Sequence, residues 1–307
     1  GSEADAKLEE YAARERQITA EVKSAAFEIY ALDRSLAVVT RDMDILDKFA
    51  QVAEARYAVG KAEQVDILNA RLEITELLHT KGTLEAKRAL AAARLNALLY
   101  RDPETAVGPV AVERRGLDVP PYEEIVRLAE ASSPDLKQRR RLVDASNHAL
   151  RLAEREAKYP EVSFTFQYHN RPAFPDYYEY GVTLELPFWA FTKQRYGVAE
   201  KTSDVAAARS RLDSVGAMVR ERLRAAHVRA TNAVRLLKLH EQGLVPQATL
   251  SLESAMASYQ VGKVDFRTLL TALRRALDYE TEYYELLAEY WTALAEIESY
   301  AGVELVN

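Results

Sequence analysis

Hydrophobic residues recur at helical spacing through most of this chain, starting with its first hundred residues. From Glu3 to about Ala58, apolar residues are interleaved with charged ones and no proline intervenes. The pattern predicts one helix of roughly 80 Å, because each helical residue adds about 1.5 Å. A second helix is predicted from about Gln64 to Tyr100, and such lengths are typical of coiled coils. In this second helix, small and apolar residues fall seven apart, which predicts a close coiled-coil seam: Ala70, Leu77, Leu84, Ala91 and Leu98.

The carboxyl-terminal part of the chain repeats this helical pattern. A third long helix is predicted from about Lys193 to Gln260, with a kink or break near Gly243 and Pro246. A fourth is predicted from about Phe266 to Tyr300. Its apolar residues form two adjacent heptad stripes, which predict a face wide enough to contact neighbours on two sides.

Two segments in the middle of the chain alternate apolar and polar residues, and they predict strands. They follow helices expected at about 122–131 and 134–158, and together they form a predicted hairpin over residues 161–187. Strands of nine or ten residues have the length that spans a bilayer in a tilted barrel. An amphipathic hairpin packed on a soluble core fits the alternation equally well. The residues predicted to face lipid are Val162, Phe164, Phe166, Tyr168, Tyr178, Tyr180, Val182, Leu184 and Leu186.

Three aromatic residues directly after the second strand favour the membrane interpretation. Phe188, Trp189 and Phe191 cluster where the strand would meet the next helix. Aromatic residues are enriched where barrel strands cross the membrane–water interface. We therefore predict an interfacial girdle here. The alternative is a hydrophobic plug that packs the strand onto the helix.

The pattern Tyr-x-Val-Gly-Lys occurs twice, beginning at Tyr57 and again 202 residues later at Tyr259. Each copy separates two long helical patterns, so the chain is predicted to contain two helix–tip–helix hairpins. Gly60 and Gly262 supply the backbone freedom that a tight reversal requires. The predicted fold is mainly α: long antiparallel coiled-coil helices in tandem hairpin repeats, plus one β-hairpin with strands long enough for a membrane-spanning β-barrel. Both reversals are expected at one pole, distal from the β-hairpin.

Composition narrows the possible functions. Among 307 residues there are only 11 Gly and 10 Pro, which favours long helices. A net charge of −6 without a basic run argues against a nucleic-acid partner. The absence of cysteine excludes disulfides and thiolate metal sites. The five histidines are scattered and no phosphate-binding loop is visible, so we predict no enzyme activity, no catalytic residues, no cofactor and no metal site.

Several motifs in this order resemble those of the TolC-like outer membrane efflux proteins. Leu244–Ala248 and the short loop between the strands are more similar to the heavy-metal branch of that family. The resemblance covers essentially the whole chain, and the motifs that carry it are the tip from Tyr57 to Arg71, its counterpart from Tyr259 to Ala272, the helix start Pro134-Asp135-Leu136, the strand start Tyr159-Pro160-Glu161-Val162 and the strand end Leu186-Pro187-Phe188.

The resemblance implies an architecture and a function. Members of the family have two helix–strand–strand–helix–helix repeats, and three chains close a twelve-stranded outer-membrane barrel that continues as a periplasmic helical tunnel. Residues 1–100 would then be the second half of repeat one, residues 101–121 an inter-repeat linker, and residues 122–302 repeat two. The implied function is a passive outer-membrane duct of a tripartite efflux or type I secretion system in a Gram-negative bacterium. The strands of repeat one would lie upstream of residue 1, and Gly1-Ser2 resembles a cloning remnant, so a truncated sequence is expected.

The resemblance also implies partners. These are two further copies in a full-length homotrimer, a periplasmic adaptor protein, an inner-membrane pump and outer-membrane lipid. Adaptor hairpins are expected to dock at the tips, whose helices splay to open the duct. Thr268 and Thr271 stand where the family often has aspartate, which argues against an acidic cation gate. Reversing the charges of tip residues is expected to leave folding nearly unchanged. The expected docking residues are Tyr57, Val59, Gly60, Lys61 and Asp66 in the first tip and Tyr259, Val261, Gly262, Lys263 and Asp265 in the second.

Two other classes of protein share some of these features. A periplasmic adaptor also has a long helical hairpin, but it carries extensive β domains that this sequence lacks. A soluble coiled-coil scaffold would explain the helices but not the strands between residues 162 and 186.

Overall fold

A computed structural model describes residues 2–112, 116–158, 161–172, 174–185 and 195–305. The predicted mainly α fold with one antiparallel β-hairpin is confirmed. Leu186 and the predicted girdle residues Phe188, Trp189 and Phe191 lie outside the described residues. The elements are α1 (Ser2–Ala58), α2 (Gln64–Leu98), α3 (Tyr122–Ser132), α4 (Pro134–Lys158), β1 (Glu161–His169), β2 (Tyr177–Glu185), α5 (Arg195–Leu239), α6 (Val245–Gln260) and α7 (Phe266–Ala301).

The chain divides into two compact units. The hairpin unit comprises Gly1–Ala13 and Ser132–Arg220, and therefore holds α4, both strands and the beginnings of α1 and α5. Within it, Gln138 donates a hydrogen bond to Glu10 across 3.2 Å. The tip unit comprises Arg14–Ala131 and Glu221–Asn307, and it holds both helical reversals. Among the described residues, no helix combines the length and the apolarity that crossing a membrane would require.

The predicted interruption of the third long helix is present as a π-helical turn. His240–Leu244 form this turn between α5 and α6, and the flanking torsion angles stay helical. Pro246 follows directly in α6, so the irregular turn lies where its missing N–H interrupts the helical hydrogen-bond ladder. His240 is buried, and its Nδ1 lies 3.0 Å from the carbonyl oxygen of Leu236.

Small and apolar residues of four helices form the core nearest the tips. Alanines alternate with larger side chains, so the helices approach closely, as the heptad seam of α2 predicts. Two seam residues of α2, Ala70 and Leu77, belong to this core. The other buried members include Leu46, Phe49 and Ala50 of α1, Ala248, Leu252 and Ala255 of α6, and Phe266, Leu269 and Leu273 of α7.

Charged side chains link neighbouring helices of the tip unit. Arg274 of α7 donates from Nε to both carboxylate oxygens of Glu73 on α2, across 2.8 and 2.7 Å. The Glu73 side chain is only 5% exposed, whereas that of Arg274 is 51% exposed. The guanidinium of Arg274 thus offsets the cost of burying the Glu73 carboxylate, because an unpaired buried charge is strongly unfavourable. Other helix-to-helix pairs are Lys23–Glu298, Arg41–Glu280, Arg71–Glu54, Arg88–Asp33 and Arg229–Glu296.

A buried carboxyl group of α1 lacks a full set of partners. The Asp42 side chain is 0% exposed, and only its Oδ1 accepts hydrogen bonds, both from Arg41. Oδ2 has no hydrogen-bond partner among the described residues. Burial raises the pKa of Asp42 by more than the Arg41 guanidinium lowers it. The ionised carboxylate therefore destabilises the fold at neutral pH.

The segment that follows α2 is fixed to the tip unit by buried polar groups. Asn96 is fully buried and donates to the carbonyl oxygens of Pro103 and Thr105 across 3.3 and 2.8 Å. Further along, the hydroxyl of Tyr290 donates to the carbonyl oxygen of Asp118 across 2.9 Å. This predicted linker is therefore anchored at several points along its length.

The end of α2 carries a tyrosine in a left-handed conformation. Tyr100 has φ 55°, and the turn is closed by hydrogen bonds from Tyr100 N to Ala97 O and from Arg101 N to Asn96 O. This pattern is a Schellman motif, which normally places glycine at that position. A side chain there costs about 1–2 kcal/mol, because Cβ crowds the following carbonyl group. At the matching position of the second repeat, 202 residues later, Gly302 has φ 73°.

Replacing Arg274 tests the buried pair. We expect Arg274→Ala to lower the free energy of unfolding by about 2 kcal/mol, because it leaves Glu73 buried without its charge partner. Urea denaturation measures the effect. Arg229→Ala breaks a pair whose glutamate is 36% exposed, so no buried carboxylate is left unpaired and the cost should be less than about 1 kcal/mol. Equal losses in the two variants would contradict this account.

The buried Asp42 predicts a pH dependence. Because its folded-state pKa is raised, the free energy of unfolding should fall as pH rises from the ordinary aspartate pKa through the raised one. Asp42→Asn should therefore be more stable than the wild type at neutral pH, and this advantage should vanish below the ordinary pKa. Urea denaturation across pH measures it, with Asp44→Asn on the exposed side of α1 as control. A pH-independent difference would refute the prediction.

Candidate docking site at the helical tips

The two helical reversals share one backbone geometry. In tip 1, residues 59–63, Gly60 N donates to Tyr57 O across 2.9 Å and Lys61 N to Arg56 O across 2.8 Å. In tip 2, residues 261–265, the equivalent bonds join Gly262 to Tyr259 and Lys263 to Ser258, at 3.0 and 2.8 Å. Both are Schellman motifs, in which the glycine takes a positive φ, here 70° and 78°. The two copies of the sequence motif thus form the same type of turn.

Arg56 connects the two tips. Its Nη1 donates to Tyr259 O across 2.5 Å, and its Nη2 donates to Lys61 O across 3.4 Å. The guanidinium also lies over the Tyr259 ring, 5.1 Å from its centroid, in a cation–π arrangement. One side chain therefore contacts both reversals, so the tips lie side by side as expected. Their predicted position distal from the β-hairpin stays a prediction.

Tyr259 is a buried aromatic residue next to tip 2. It is 2% exposed, and its ring packs edge-on against Phe49 at 6.0 Å and Phe266 at 5.4 Å. Its hydroxyl has no hydrogen-bond partner among the described residues. Burial raises the pKa of the Tyr259 hydroxyl, and the nearby Asp66 carboxylate raises it further. Tyr259 therefore supports the site from below and presents little of its side chain to a partner.

The exposed surface of the tips is apolar at its centre and charged around it. Tyr57, Val59 and Val261 are 46%, 66% and 69% exposed. Lys61 and Lys263 are also exposed, and Asp66 is half-buried. An apolar centre with a charged rim is the usual anatomy of a protein–protein interface.

Asp265 has a structural role that the sequence analysis missed. Its Oδ1 accepts a hydrogen bond from Thr268 N across 2.8 Å, so it caps the amino terminus of α7. Hydrogen bonding with Thr268 holds the pKa of Asp265 below its ordinary value. The expectation that charge reversal here would leave folding unchanged is therefore corrected, because a lysine cannot accept this bond. Thr271, the other position considered for an acidic gate, hydrogen-bonds the Arg267 carbonyl.

The β-hairpin carries its predicted apolar residues on one face, and Tyr177 is the one aromatic strand residue on the other. The strands pair in an antiparallel register that sets Val162 opposite Leu184 and Phe166 opposite Tyr180. Because side chains alternate along a strand, the predicted apolar residues share one side of the sheet. Their exposed fractions run from 47% for Val162 to 79% for Phe164, so nothing within the described chain covers this face. The opposite face carries the pairs Ser163–Thr183, Thr165–Gly181, Gln167–Glu179 and His169–Tyr177.

No three His, Cys, Asp or Glu side chains of the described chain come together in a way that could hold a metal ion.

Alanine at each tip glycine tests the coupling through Arg56. A Cβ on Gly60 meets open space, whereas a Cβ on Gly262 lies 2.9 Å from Nη2 of Arg56. Both substitutions should cost about 1–2 kcal/mol, because alanine is strained at a positive φ. Gly262→Ala should cost up to about 1 kcal/mol more, because it displaces the Arg56 hydrogen bonds. Urea denaturation of each glycine variant in the wild-type and Arg56→Met backgrounds forms a double-mutant cycle. The prediction would be contradicted if Gly262→Ala still cost more stability than Gly60→Ala in the absence of Arg56.

Comparison with known proteins relates these features to outer membrane efflux proteins. Residues 2–101 match the sequence model described as outer membrane efflux protein. The cobalt-zinc-cadmium resistance protein CzcC of Cupriavidus metallidurans is 24% identical over 295 residues, covering 93% of this chain and 68% of that protein.

Solved structures share the fold over nearly the whole chain. The outer membrane protein VceC from Vibrio cholerae has a TM-score of 0.82 at 16% identity, covering 99% of this chain and 74% of that chain. The open state of the Neisseria gonorrhoeae MtrE outer membrane channel has a TM-score of 0.81 at 14% identity, covering 98% and 69%. Residues 2–101 thus resemble outer membrane efflux proteins in sequence, and nearly the whole chain shares its fold with solved outer-membrane channels.

Proposed function

We propose that this chain is part of the outer-membrane duct of a tripartite efflux or type I secretion system in a Gram-negative bacterium. The duct conducts its substrate passively from a periplasmic adaptor and an inner-membrane pump to the exterior. The observation that carries this proposal is the combination, in one chain, of a two-faced β-hairpin and paired helical tips with exposed apolar residues.

The hairpin fits an outer-membrane barrel in length and in polarity. Each strand has nine residues, which is enough to cross a bilayer when tilted. One face is aromatic and aliphatic and suits lipid, while the other is polar and suits a water-filled lumen. A soluble scaffold would leave this apolar face in water, which disfavours that alternative.

Closure of the barrel requires further strands. A two-stranded hairpin alone is marginally stable at best, and its edges need partners. We infer that copies of the full-length chain supply them by associating as a homotrimer. Outer-membrane lipid would then cover the exposed face formed by Phe164, Phe166, Tyr180 and Val182.

The tips would receive the helical hairpins of the adaptor. Tyr57, Val59 and Val261 provide an apolar centre, and Lys61 and Lys263 provide charges that guide and orient a partner. Arg56 ties the two reversals together, so adaptor binding at one tip acts mechanically on the other. Splaying of the tip helices would open the duct.

The proposed substrate class rests on the named relative. CzcC is named for resistance to cobalt, zinc and cadmium, and we propose divalent metal cations as substrates of this chain as well. Passage rather than tight binding suits a duct, since a tightly held ion would leave slowly.

Charge reversal at both tips tests the docking role in the full-length protein. We expect Lys61→Glu with Lys263→Glu to leave the unfolding temperature unchanged within about 2 °C, because both side chains are exposed. Affinity for the purified adaptor should fall at least about tenfold, because reversed charges oppose the partner surface. Cells carrying the variant should become more sensitive to zinc, cobalt or cadmium.

The control for this test carries the same change of net charge elsewhere on the tip unit. Lys87→Glu with Lys238→Glu alters two exposed lysines on α2 and α5. This control should retain adaptor affinity and metal resistance. Full affinity and resistance in the tip variant would mean that the tips are only turns.

A further inference from the structure

Tyr100 occupies a backbone position that glycine would fill without strain. Its φ of 55° is left-handed, and the matching residue of the second repeat is Gly302 with φ 73°. The Tyr100 side chain is 99% exposed, so no contact within the described chain offsets the strain. Strained residues persist where function requires them, and exposed tyrosines are frequent anchors of protein interfaces.

A small cavity lies in the same tip unit. It has a volume of about 170 Å³ and is lined by the segment 116–120, by Tyr290, Trp291 and Leu294 of α7, and by Leu305. Trp291 is 4% exposed, and its indole N–H has no acceptor among the described residues. A buried donor without an acceptor is costly, which points to a missing partner.

The cavity suits one aromatic ring with an oxygen atom. A cavity of about 150 Å³ is known to hold benzene, whereas small-molecule pockets usually measure about 300–1,000 Å³. An indole N–H only donates, whereas a phenolic oxygen can both donate and accept. A tyrosine side chain therefore matches the cavity in size and in hydrogen bonding.

We propose that Tyr100 of one copy inserts into this cavity of a neighbouring copy, with its hydroxyl oxygen accepting from Trp291. The Tyr100 side chain and the cavity are different surfaces of one chain, so the contact between two copies is heterologous. Repeating the same contact from copy to copy closes a ring when the rotation between neighbouring copies permits it. Rim groups such as Asp118 and Pro120 surround the inserted ring. The inference rests on the proposed function in one respect, namely that copies of this chain associate.

Disulfide trapping in the assembled full-length protein tests this contact directly. The chain has no native cysteine, so any disulfide that forms must join the introduced cysteines. Chains carrying Tyr100→Cys are mixed with differently tagged chains carrying Asp118→Cys and oxidised. We expect a disulfide-linked heterodimer, since a disulfide requires Cα atoms within roughly 7 Å. Tyr57→Cys, at another exposed tyrosine, replaces Tyr100→Cys in the control and should yield no heterodimer.

A second variant separates strain from contact. Tyr100→Gly removes the left-handed strain and should raise the unfolding temperature of the dissociated chain by roughly 2–4 °C. It should also weaken association of the copies at least about tenfold, because an interface anchor is lost. Trp291→Phe keeps an aromatic ring but removes the donor, and it should weaken association without the rise in unfolding temperature.

The outcomes distinguish this inference from the proposed function. A wild-type protein that stays monomeric would overturn both. If wild-type copies associate but the trapped heterodimer is absent and Tyr100→Gly associates normally, only the Tyr100 contact is refuted. Trapping together with weaker association of Tyr100→Gly supports the contact.

Discussion

A left-handed glycine at each tip sets the register of the helices around it. Gly60 and Gly262 close the same pair of backbone hydrogen bonds, so each hairpin reverses within five residues. A short, fixed reversal leaves little freedom for one helix to slide along the next. The core depends on that register, because it brings the small seam residue Ala70 and the ring of Phe266 into one buried cluster. Close packing of small and large side chains tolerates little displacement.

Polar links between helices add specificity to this seam. Apolar seams with a regular spacing permit alternative registers, and buried polar pairs help to exclude them. The Arg274–Glu73 pair satisfies a buried carboxylate only in the observed register. Asp42 has the opposite character, because its burial raises the energy of the ionised fold. The helical bundle thus combines pairs that fix its register with a buried acid that reduces its stability at neutral pH.

Local periodicity was enough to predict the elements, but contacts between distant segments were not visible in it. Alternation predicted which residues of the β-hairpin share a face, because side-chain direction in a strand depends only on position. The repeated motif likewise located both reversals. Arg56 was missed because its contact with Tyr259 crosses to another hairpin, although the change from Arg56 to Ser258 between the repeats signals a difference. The cap at Asp265 was visible in principle, since aspartate before a helix is a common cap. Burial of Asp42 depends on packing between helices, and the conformation of Tyr100 belongs to a turn that Tyr100 N and Arg101 N close by donating to Ala97 O and Asn96 O.

The two repeats differ in their side chains at positions where their backbones have the same conformation. Tyr57 and Tyr259 hold equivalent places in equivalent turns, yet one is exposed and the other is buried. Tyr100 and Gly302 both have left-handed backbones, yet only Tyr100 carries a side chain. The backbone geometry is the same within each pair, so it cannot explain why the side chains differ. The difference must arise from what each side chain contacts. In both pairs the first repeat presents the aromatic side chain to its surroundings. The second repeat instead uses its tyrosine in the core and glycine at the turn. Duplication therefore lets one repeat meet the demands of folding while the other carries surface contacts, and partner binding should depend more on the first repeat.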